Sequence, residues 1–542
     1  LMFISYKSLS RVVAKSGIPS DRYHLGKVIL QCFKDDPNFV AQIDGATGES
    51  DTNQSIMERS VKCAISLRNM GLQKGDVIII MAPNHLDIGM PLYAALYLGI
   101  PVAPIDRTLG VLELQHVFNI NKPKVIFCQV EKTSDVQLAL NKVELKAQII
   151  TFDKGDRTGT LSFEEFLEDY GKGTAVDEFR PTDLDPDETF SFLVSTSGTT
   201  GLPKSTAITH HNLRITFPYI WEHFTKYPTP TRMWLLPSPL QWVTAILSFV
   251  TSPILKITRL QTSLPLIQNN FYDIINKYRP TFTIMSPPLL TSLLKPGDRE
   301  RCDFTSFEVI MVGGSFVSQR LLKEAMVTTP HTKVCNGYGM TELAGMGFDF
   351  YYGKPLGCLQ YRVSKILHFQ LINIETDKEI EEPNVPGELW LKGPGVFKRY
   401  YNNDKATEDT FSDDGWFKTG DMFYRDEDWR FFFVERIKSL LKYKNNQVSS
   451  LYEVIRQHPS VLDVAVTGIP DPECGDLPVA CVVPKKGCNI TAQEIKDLVK
   501  DTLSDSMQLR GGVIFLEELP VTSTTKIHKK KLEELVLLMK RE

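Results

Sequence analysis

FSFLVSTSGTTGLPKS runs from residue 190 to residue 205. Its first half, FSFLVST at 190–196, is apolar and β-branched and predicts a buried strand that opens into a Gly/Thr loop. Gly198 and Gly201 permit tight turns and close backbone approach. Ser195, Thr196, Ser197, Thr199 and Thr200 supply hydroxyl donors, successive amides make an anion nest, and Lys204 adds a point charge. Such a loop after a buried strand suits a triphosphate or pyrophosphate. Its spacing differs from the GxxxxGK[ST] phosphate loop. Composition alone also allows a plain Ser/Gly surface turn.

On either side of this loop, short apolar runs alternate with helical patterns. Residues 55–70 predict a helix with Ile56, Cys63, Ala64 and Leu67 on its apolar face and Gly71 as its stop. VIIIMAP at 77–83 predicts a buried strand, 85–98 a packed helix, and GIPVAPI, KVIFC (124–128) and AQIITF (147–152) further strands. Beyond the loop, MWLLPSP (233–239), TFTIMSP (281–287), FEVIMVGG (307–314) and KVCNGYG (333–339) continue the pattern. Strands alternating with helices imply a largely parallel sheet covered by helices. From about residue 386 the character shifts, and GELWLKG (387–393) and RFFFVER (430–436) predict strands bordered by turn residues. A boundary near Glu435–Ile437 divides the chain into 1–434 and a small α/β unit at 435–542. That unit holds VLDVAVTGIP (461–470), PVACVVPK (478–485), a helix from about Thr491, GGVIFLEELP (511–520) and a basic amphipathic tail helix. The expected class is therefore α/β: a large N-terminal domain of subdomains with mostly parallel sheets, plus a small C-terminal α/β domain.

Composition sets the outer limits. At 542 residues the chain exceeds one compact core, since single cores stop growing near roughly 250–300 residues. With 61 Lys+Arg against 65 Asp+Glu the formal charge is −4, which argues against a nucleic-acid-binding polycation. The nine cysteines are scattered and form no CxxC pair, so neither a disulfide framework nor a zinc site is expected. No run reaches the length of a membrane span. The C-terminal MKRE matches no peroxisomal address tripeptide, and an intracellular location, cytoplasmic or peroxisomal, is the expectation.

Several further motifs join the loop. GYGMTE at 337–342 offers the aromatic face of Tyr338 between Gly337 and Gly339, the Thr341 hydroxyl and the Glu342 carboxylate, an oxygen donor of the kind hard cations prefer. DGWFKTGD at 414–421 ends in Asp421, RFFFVER brings Glu435 and Arg436, KSLLKYK carries Lys442, and LPVTSTTKIHKKKLEE carries Lys526. In this order and spacing the motifs resemble the adenylate-forming superfamily of acyl-CoA synthetases, 4-coumarate-CoA ligases, beetle luciferases and peptide-synthetase adenylation domains. The similarity is closest to insect luciferase-like acyl-CoA synthetases and spans about residues 55–535.

The resemblance implies ATP, Mg²⁺ and coenzyme A as cofactor and co-substrates, and a small carboxylic acid as substrate. It implies that loop 195–204 cradles phosphates, that Tyr338 stacks on adenine, and that Asp421 and Arg436 hold the ribose. Thr341 meets the phosphate and Glu342 holds Mg²⁺. Lys526 serves adenylation and Lys442 the thiol step, while Glu435 sits at the hinge about which the small domain turns. Gly313, Gly314 and Ser315 of GGSF, together with Leu240, Trp242 and Gly345, are implied in the acyl pocket. A monomer or weak homodimer is expected.

The sequence also departs from the family pattern. Leu240 stands where beetle luciferases carry a pocket histidine, which makes the pocket more apolar. Thr525 and Ser205 replace usual glycines, Glu435 replaces the usual hinge aspartate, and VSSLYEVIRQH at 448–458 lacks the usual Pro and Glu-Leu-Glu stretch. Two other readings follow from the same motifs: a luciferase-type monooxygenase acting on a luciferyl-adenylate, and a catalytically weakened nucleotide- or lipid-binding relative.

Overall fold

The computed structural model describes residues 24–153, 159–196, 203–215, 232–264, 267–295, 297–315, 317–346, 359–360, 367–437, 441–443, 446–448, 451–471, 475–503, 505–521 and 527–542. Among them, the large N-terminal domain holds an eight-stranded and a seven-stranded sheet, each mostly parallel, and a five-stranded antiparallel sheet. In the eight-stranded sheet, Ile78–Met81, Val102–Pro104, Val125–Cys128, Gln148–Thr151 and Phe190–Thr196 run parallel. Ile78–Met81 is buried throughout, as expected of a strand covered on both faces. The covering helices are equally apolar. Gly89–Leu98 is buried at every position and stops at Gly99, whose φ of 70° is the left-handed cap that glycine adopts without strain. Asn53–Asn69 starts two residues earlier than expected because the Thr52 side chain accepts from Ser55 N–H and caps it.

The seven-stranded sheet places Lys333–Gly337, Val309–Gly313, Phe282–Met285, Met233–Leu235, Thr258–Gln261 and Val40–Asp44 side by side in parallel, with Ser50–Thr52 antiparallel at the edge. The main core spans both sheets through residues such as Ile80, Leu96, Phe192, Trp234 and Phe249.

The third sheet is the antiparallel exception in a large domain whose two larger sheets are mostly parallel, as expected. His368–Ile372, Gly387–Lys392, Phe417–Arg425 and Arg430–Arg436 pair antiparallel in chain order. Gly387–Lys392 alternates buried and partly exposed positions, the signature of a sheet with one open face. Beyond Arg436 the small domain has its own five-stranded sheet and its own core around Ile455, Val482, Ile495 and Val513. Its last helix, Lys529–Leu538, buries Leu532 and Val536, four residues apart on one face. Arg320, on a helix of the large domain, donates to the carbonyls of Arg456 (2.5 Å) and His458 (3.0 Å) in the small one. Among the described residues no helix is long and apolar enough to cross a membrane.

Candidate active site

Val309–Gly313 and Lys333–Gly337 run parallel with Gly313 opposite Gly337, and ligands in such sheets gather beyond the carboxyl ends of the strands. The glycine is required at 313, because a Cβ there would lie 2.7 Å from the Gly337 carbonyl oxygen. At Gly314, with φ of +91°, a Cβ would meet nothing within 4 Å, and Ser315 beside it is exposed. After Gly337 and Tyr338 the chain folds on itself. Gly339–Met340 pairs with Gly345–Met346 around the turn Thr341–Leu343. Ala344 takes the left-handed conformation that closes this turn, with φ of 50°. The turn leaves Thr341 half-buried and Glu342 8% exposed.

The antiparallel sheet brings Asp421 to this point. Its register sets Asp421 opposite Arg436. Asp421 is buried, and its Oδ1 accepts from Arg436 Nε and its Oδ2 from the Tyr338 hydroxyl, each at 2.8 Å. The Asp421 N–H donates to Thr419 Oγ1 at 3.1 Å, and Gly420 N–H to Glu388 Oε1 at 2.9 Å, so the loop side of the strand is fixed as well. Burial raises the Tyr338 phenol well above its usual range, and the Asp421 charge adds to this, so it stays a donor. Burial works against the charge on Arg436, but Asp421 and Tyr338 outweigh it and the guanidinium is held more firmly protonated than usual. The Tyr338 ring lies edge-on to Phe423, 4.9 Å between centroids, and remains half-exposed. A carboxylate has about four lone-pair sites, so Asp421 retains acceptor capacity for a diol.

Phe190–Thr196 and Lys204–Thr209 form a hairpin in which Thr196 pairs with Lys204 and Ser195 with Ser205. Ser195, Thr196 and Lys204 are half-buried at its loop end. Ser197, Gly198, Thr199, Thr200 and Gly201 lie outside the described residues. The short strand Arg399–Tyr400 adds to the hairpin from almost two hundred positions away in sequence, with Tyr400 opposite Thr206. The Lys204 ammonium lies 4.7 Å from the centre of the Tyr400 ring, and the Tyr400 hydroxyl donates to Glu342 Oε1 at 2.8 Å. Burial, together with the Glu342 charge, raises the Tyr400 phenol far above its usual range. Glu342 also acts on the charge of Arg436, so the two clusters adjoin. Tyr400 and Thr419 were not expected from the sequence, and a tyrosine inside KRYYNN carries no local signal of such a contact.

The remaining expectations divide. Glu342 is a single carboxylate with one oxygen held by Tyr400, a donor set that fits a magnesium ion keeping most of its waters and taking its other ligands from phosphates. Leu240 is 2% exposed and packs in the main core with Trp234 and Ala245, so its methyl groups back the region. Trp242 is half-buried at the start of the helix Val243–Leu255. Gly345 lies on the ribbon with φ of 140°. Glu435 pairs with Met422 on the strand that leads into the small domain. The backbone of Lys442 belongs to the strand Leu441–Tyr443, and its side chain lies outside the described set. Lys526 lies outside the described residues, between Val521 and Ile527, which form an isolated bridge.

The family model for the AMP-binding enzyme matches residues 31–401, and that for the AMP-binding enzyme C-terminal domain matches residues 453–526. A luciferin 4-monooxygenase of Photuris pensylvanica is 30% identical over 521 residues, covering 93% of each chain. Among solved structures, the luciferase-like enzyme from the nonluminescent mealworm Zophobas morio is similar with a TM-score of 0.69 and 28% identity, covering 78% of this chain and 97% of that one. An anthranilate CoA ligase in complex with anthranoyl-AMP shares the fold with a TM-score of 0.86 at 19% identity, over 96% of this chain and 99% of that one.

Proposed function

The chain belongs to the AMP-binding enzyme family, and on that premise we propose that it activates a carboxylic acid with ATP and passes the acyl group to the thiol of coenzyme A. The observation that carries this reading is the meeting of Asp421, Tyr338 and Arg436 with Glu342, Tyr400 and Lys204 beside the loop end of the 190–209 hairpin. A carboxylate and a triphosphate repel one another, and a site that joins them must supply fixed positive charge and oriented donors. Lys204 and Arg436 supply the charge. Asp421 offers acceptors to a ribose, and the half-exposed Tyr338 ring offers a face to a base.

In the first half-reaction a carboxylate oxygen bonds to the α-phosphorus and the bond to pyrophosphate breaks, giving an acyl-adenylate. Lys526 is assigned to the oxygens that carry the growing charge. In the second, a thiolate attacks the acyl carbon, a thioester forms and AMP leaves, with Lys442 assigned to that step. Glu342 would hold Mg²⁺, which when bound neutralises phosphate charge. The domain division at 1–434 and 435–542, with Glu435 at the joint, follows the same reading. Leu240 offers no hydrogen bond, and the apolar wall it backs favours a hydrophobic acid. The neighbour bound to anthranoyl-AMP supports an adenylate intermediate.

The identity to luciferin 4-monooxygenase favours a second reading, in which the same adenylate is oxidised by O₂. Pyrophosphate release measured across short, medium, long and aromatic acids, with and without coenzyme A, tests the first reading. Release that depends on an acid, with acyl-CoA as product, supports it. Release with no acid supporting it, across the panel, overturns it. Light from luciferin, ATP and air would favour the second.

A further inference from the structure

Tyr400 touches both charged groups that the proposed reaction sets against phosphate, yet nothing above assigns it a role. It is 5% exposed, and its surroundings hold it from several sides. Its N–H donates to Thr407 Oγ1 at 3.0 Å, and Tyr401 N–H donates to the Ser205 carbonyl at 2.7 Å. Phe397 N–H donates to the Glu342 carbonyl at 2.8 Å, and the Phe397 ring lies 4.9 Å from that of Tyr400. Ring and hydroxyl are thus set by the backbone of two strands and by the turn that carries Glu342.

We propose that Tyr400 is a positioning residue: its hydroxyl aims the Glu342 carboxylate and its ring face seats the Lys204 ammonium, so that the metal-binding acid and the loop cation are placed as one unit. This rests on the reading of Glu342 and Lys204 given above and deepens it.

Glu342 is nearly closed off from water, and a buried carboxylate must be oriented by donors. An O–H···O⁻ bond of 2.8 Å to Oε1 fixes the carboxylate plane and leaves Oε2 as the oxygen to meet a cation. Lys204, for its part, forms no ion pair among the described residues. An ammonium over an aromatic face is held weakly, enough to bias its position and little enough to yield to a phosphate. Were Tyr400 absent, Lys204 and Glu342 could close on each other and neutralise the charge that an incoming triphosphate needs.

The two functions of the ring separate by substitution. Tyr400→Phe removes the hydroxyl and keeps the seat for Lys204, whereas Tyr400→Leu removes both. The readout is binding of a fluorescent ATP analogue to the full chain, first in EDTA and then through a Mg²⁺ titration, with ligand-free melting as the folding control. Tyr400→Phe should leave binding in EDTA within about twofold of the parent and raise the Mg²⁺ concentration for half-maximal tightening about fivefold or more. Tyr400→Leu should weaken binding in EDTA about tenfold as well. Superimposable Mg²⁺ titrations for the parent and Tyr400→Phe would overturn the proposal. So would equal weakening by Tyr400→Phe with and without Mg²⁺, or loss of the folded state in both variants, since each would mark a residue that only packs. Glu342→Gln separates the two levels of the argument. If it shifts the Mg²⁺ midpoint while Tyr400→Phe does not, only the role of Tyr400 falls. If Glu342→Gln shifts nothing, the assignment of Glu342 falls with it.

Discussion

Removing the Asp421 carboxylate should cost stability and nucleotide affinity by separable amounts. In Asp421→Ala the Tyr338 hydroxyl loses the acceptor at 2.8 Å, and removing one partner of a buried hydrogen bond costs about 1–3 kcal/mol. Arg436 loses its partner too, but its side chain is 43% exposed. Water replaces much of that interaction, so the share is nearer the roughly 0–1 kcal/mol of an exposed pair than the roughly 3–5 kcal/mol of a buried one. The expected total is about 1–4 kcal/mol. All six tryptophans lie before residue 437, so urea unfolding followed by tryptophan fluorescence reports the large domain and not the small one. The KM for ATP should rise at least about tenfold, equivalent to roughly 1.4 kcal/mol. A double-mutant cycle isolates the tyrosine share, because in a Tyr338→Phe background Asp421→Ala breaks no hydrogen bond to that ring, and its cost should fall by about 1 kcal/mol or more. Strictly additive costs would refute the claim that this hydrogen bond organises the site.

Lys526→Ala should slow pyrophosphate release by about a hundredfold or more while ATP binding persists, as expected of a group that stabilises charge in the transition state; equal rates in variant and parent would remove the role given to this lysine. Gly313→Ala forces a Cβ to within 2.7 Å of the Gly337 carbonyl and should destabilise the large domain by about 1–3 kcal/mol, seen in the same fluorescence transition; an unchanged midpoint would mean that the two strands separate freely. Stability should also fall with acidity through His24 and His210. Burial pulls His24 down to about 3 and His210 well below its usual value. Both stay neutral in the folded state while the unfolded chain binds protons near pH 6.5, so their contribution is present above that pH and is lost as pH falls toward 3. Each should cost up to about 1.4 kcal/mol per pH unit over that window. His24→Gln should therefore show a shallower decline of stability between pH 6.5 and 5 than the parent, and identical slopes would refute the assignment.

Much of the fold was legible because burial on two faces leaves a mark in the sequence. Phe190–Thr196 matches the run FSFLVST along its whole length, and Ile78–Met81 falls inside VIIIMAP. Thr258–Gln261 escaped notice because its centre is Arg259, which reads as a surface residue. It is 1% exposed all the same, with its nitrogens donating to Gln42, Gln261 and Tyr93 and its guanidinium 3.8 Å from the centre of the Phe249 ring. No local pattern announces partners recruited from three other segments. Arg399–Tyr400 was invisible for a related reason: a two-residue strand has no period, and its identity depends on pairing with Lys204–Thr209. Tyr338, Asp421 and Arg436 were grouped by resemblance alone. Their contact comes from a strand register, Asp421 opposite Arg436, and register is set by tertiary pairing.

The two clusters share one electrostatic logic. A site for polyphosphate must keep cations in place before the substrate arrives without neutralising them. Full ion pairing between Lys204 and Glu342 would hold both charges still, but a phosphate would then have to break the pair before it could bind. Setting Lys204 over the Tyr400 ring and turning the Tyr400 hydroxyl to Glu342 orders both charges while keeping them apart. Arg436 differs, because it is paired with a carboxylate. Among the described residues it donates to Asp421 through Nε alone, so its two terminal nitrogens stay available on a side chain 43% exposed, while Tyr338 occupies the other oxygen of Asp421. At Lys204 a phenol stands in for an ion pair, whereas at Arg436 the pair with Asp421 stands and the donors left on its terminal nitrogens are the kind a nucleotide triphosphate can use.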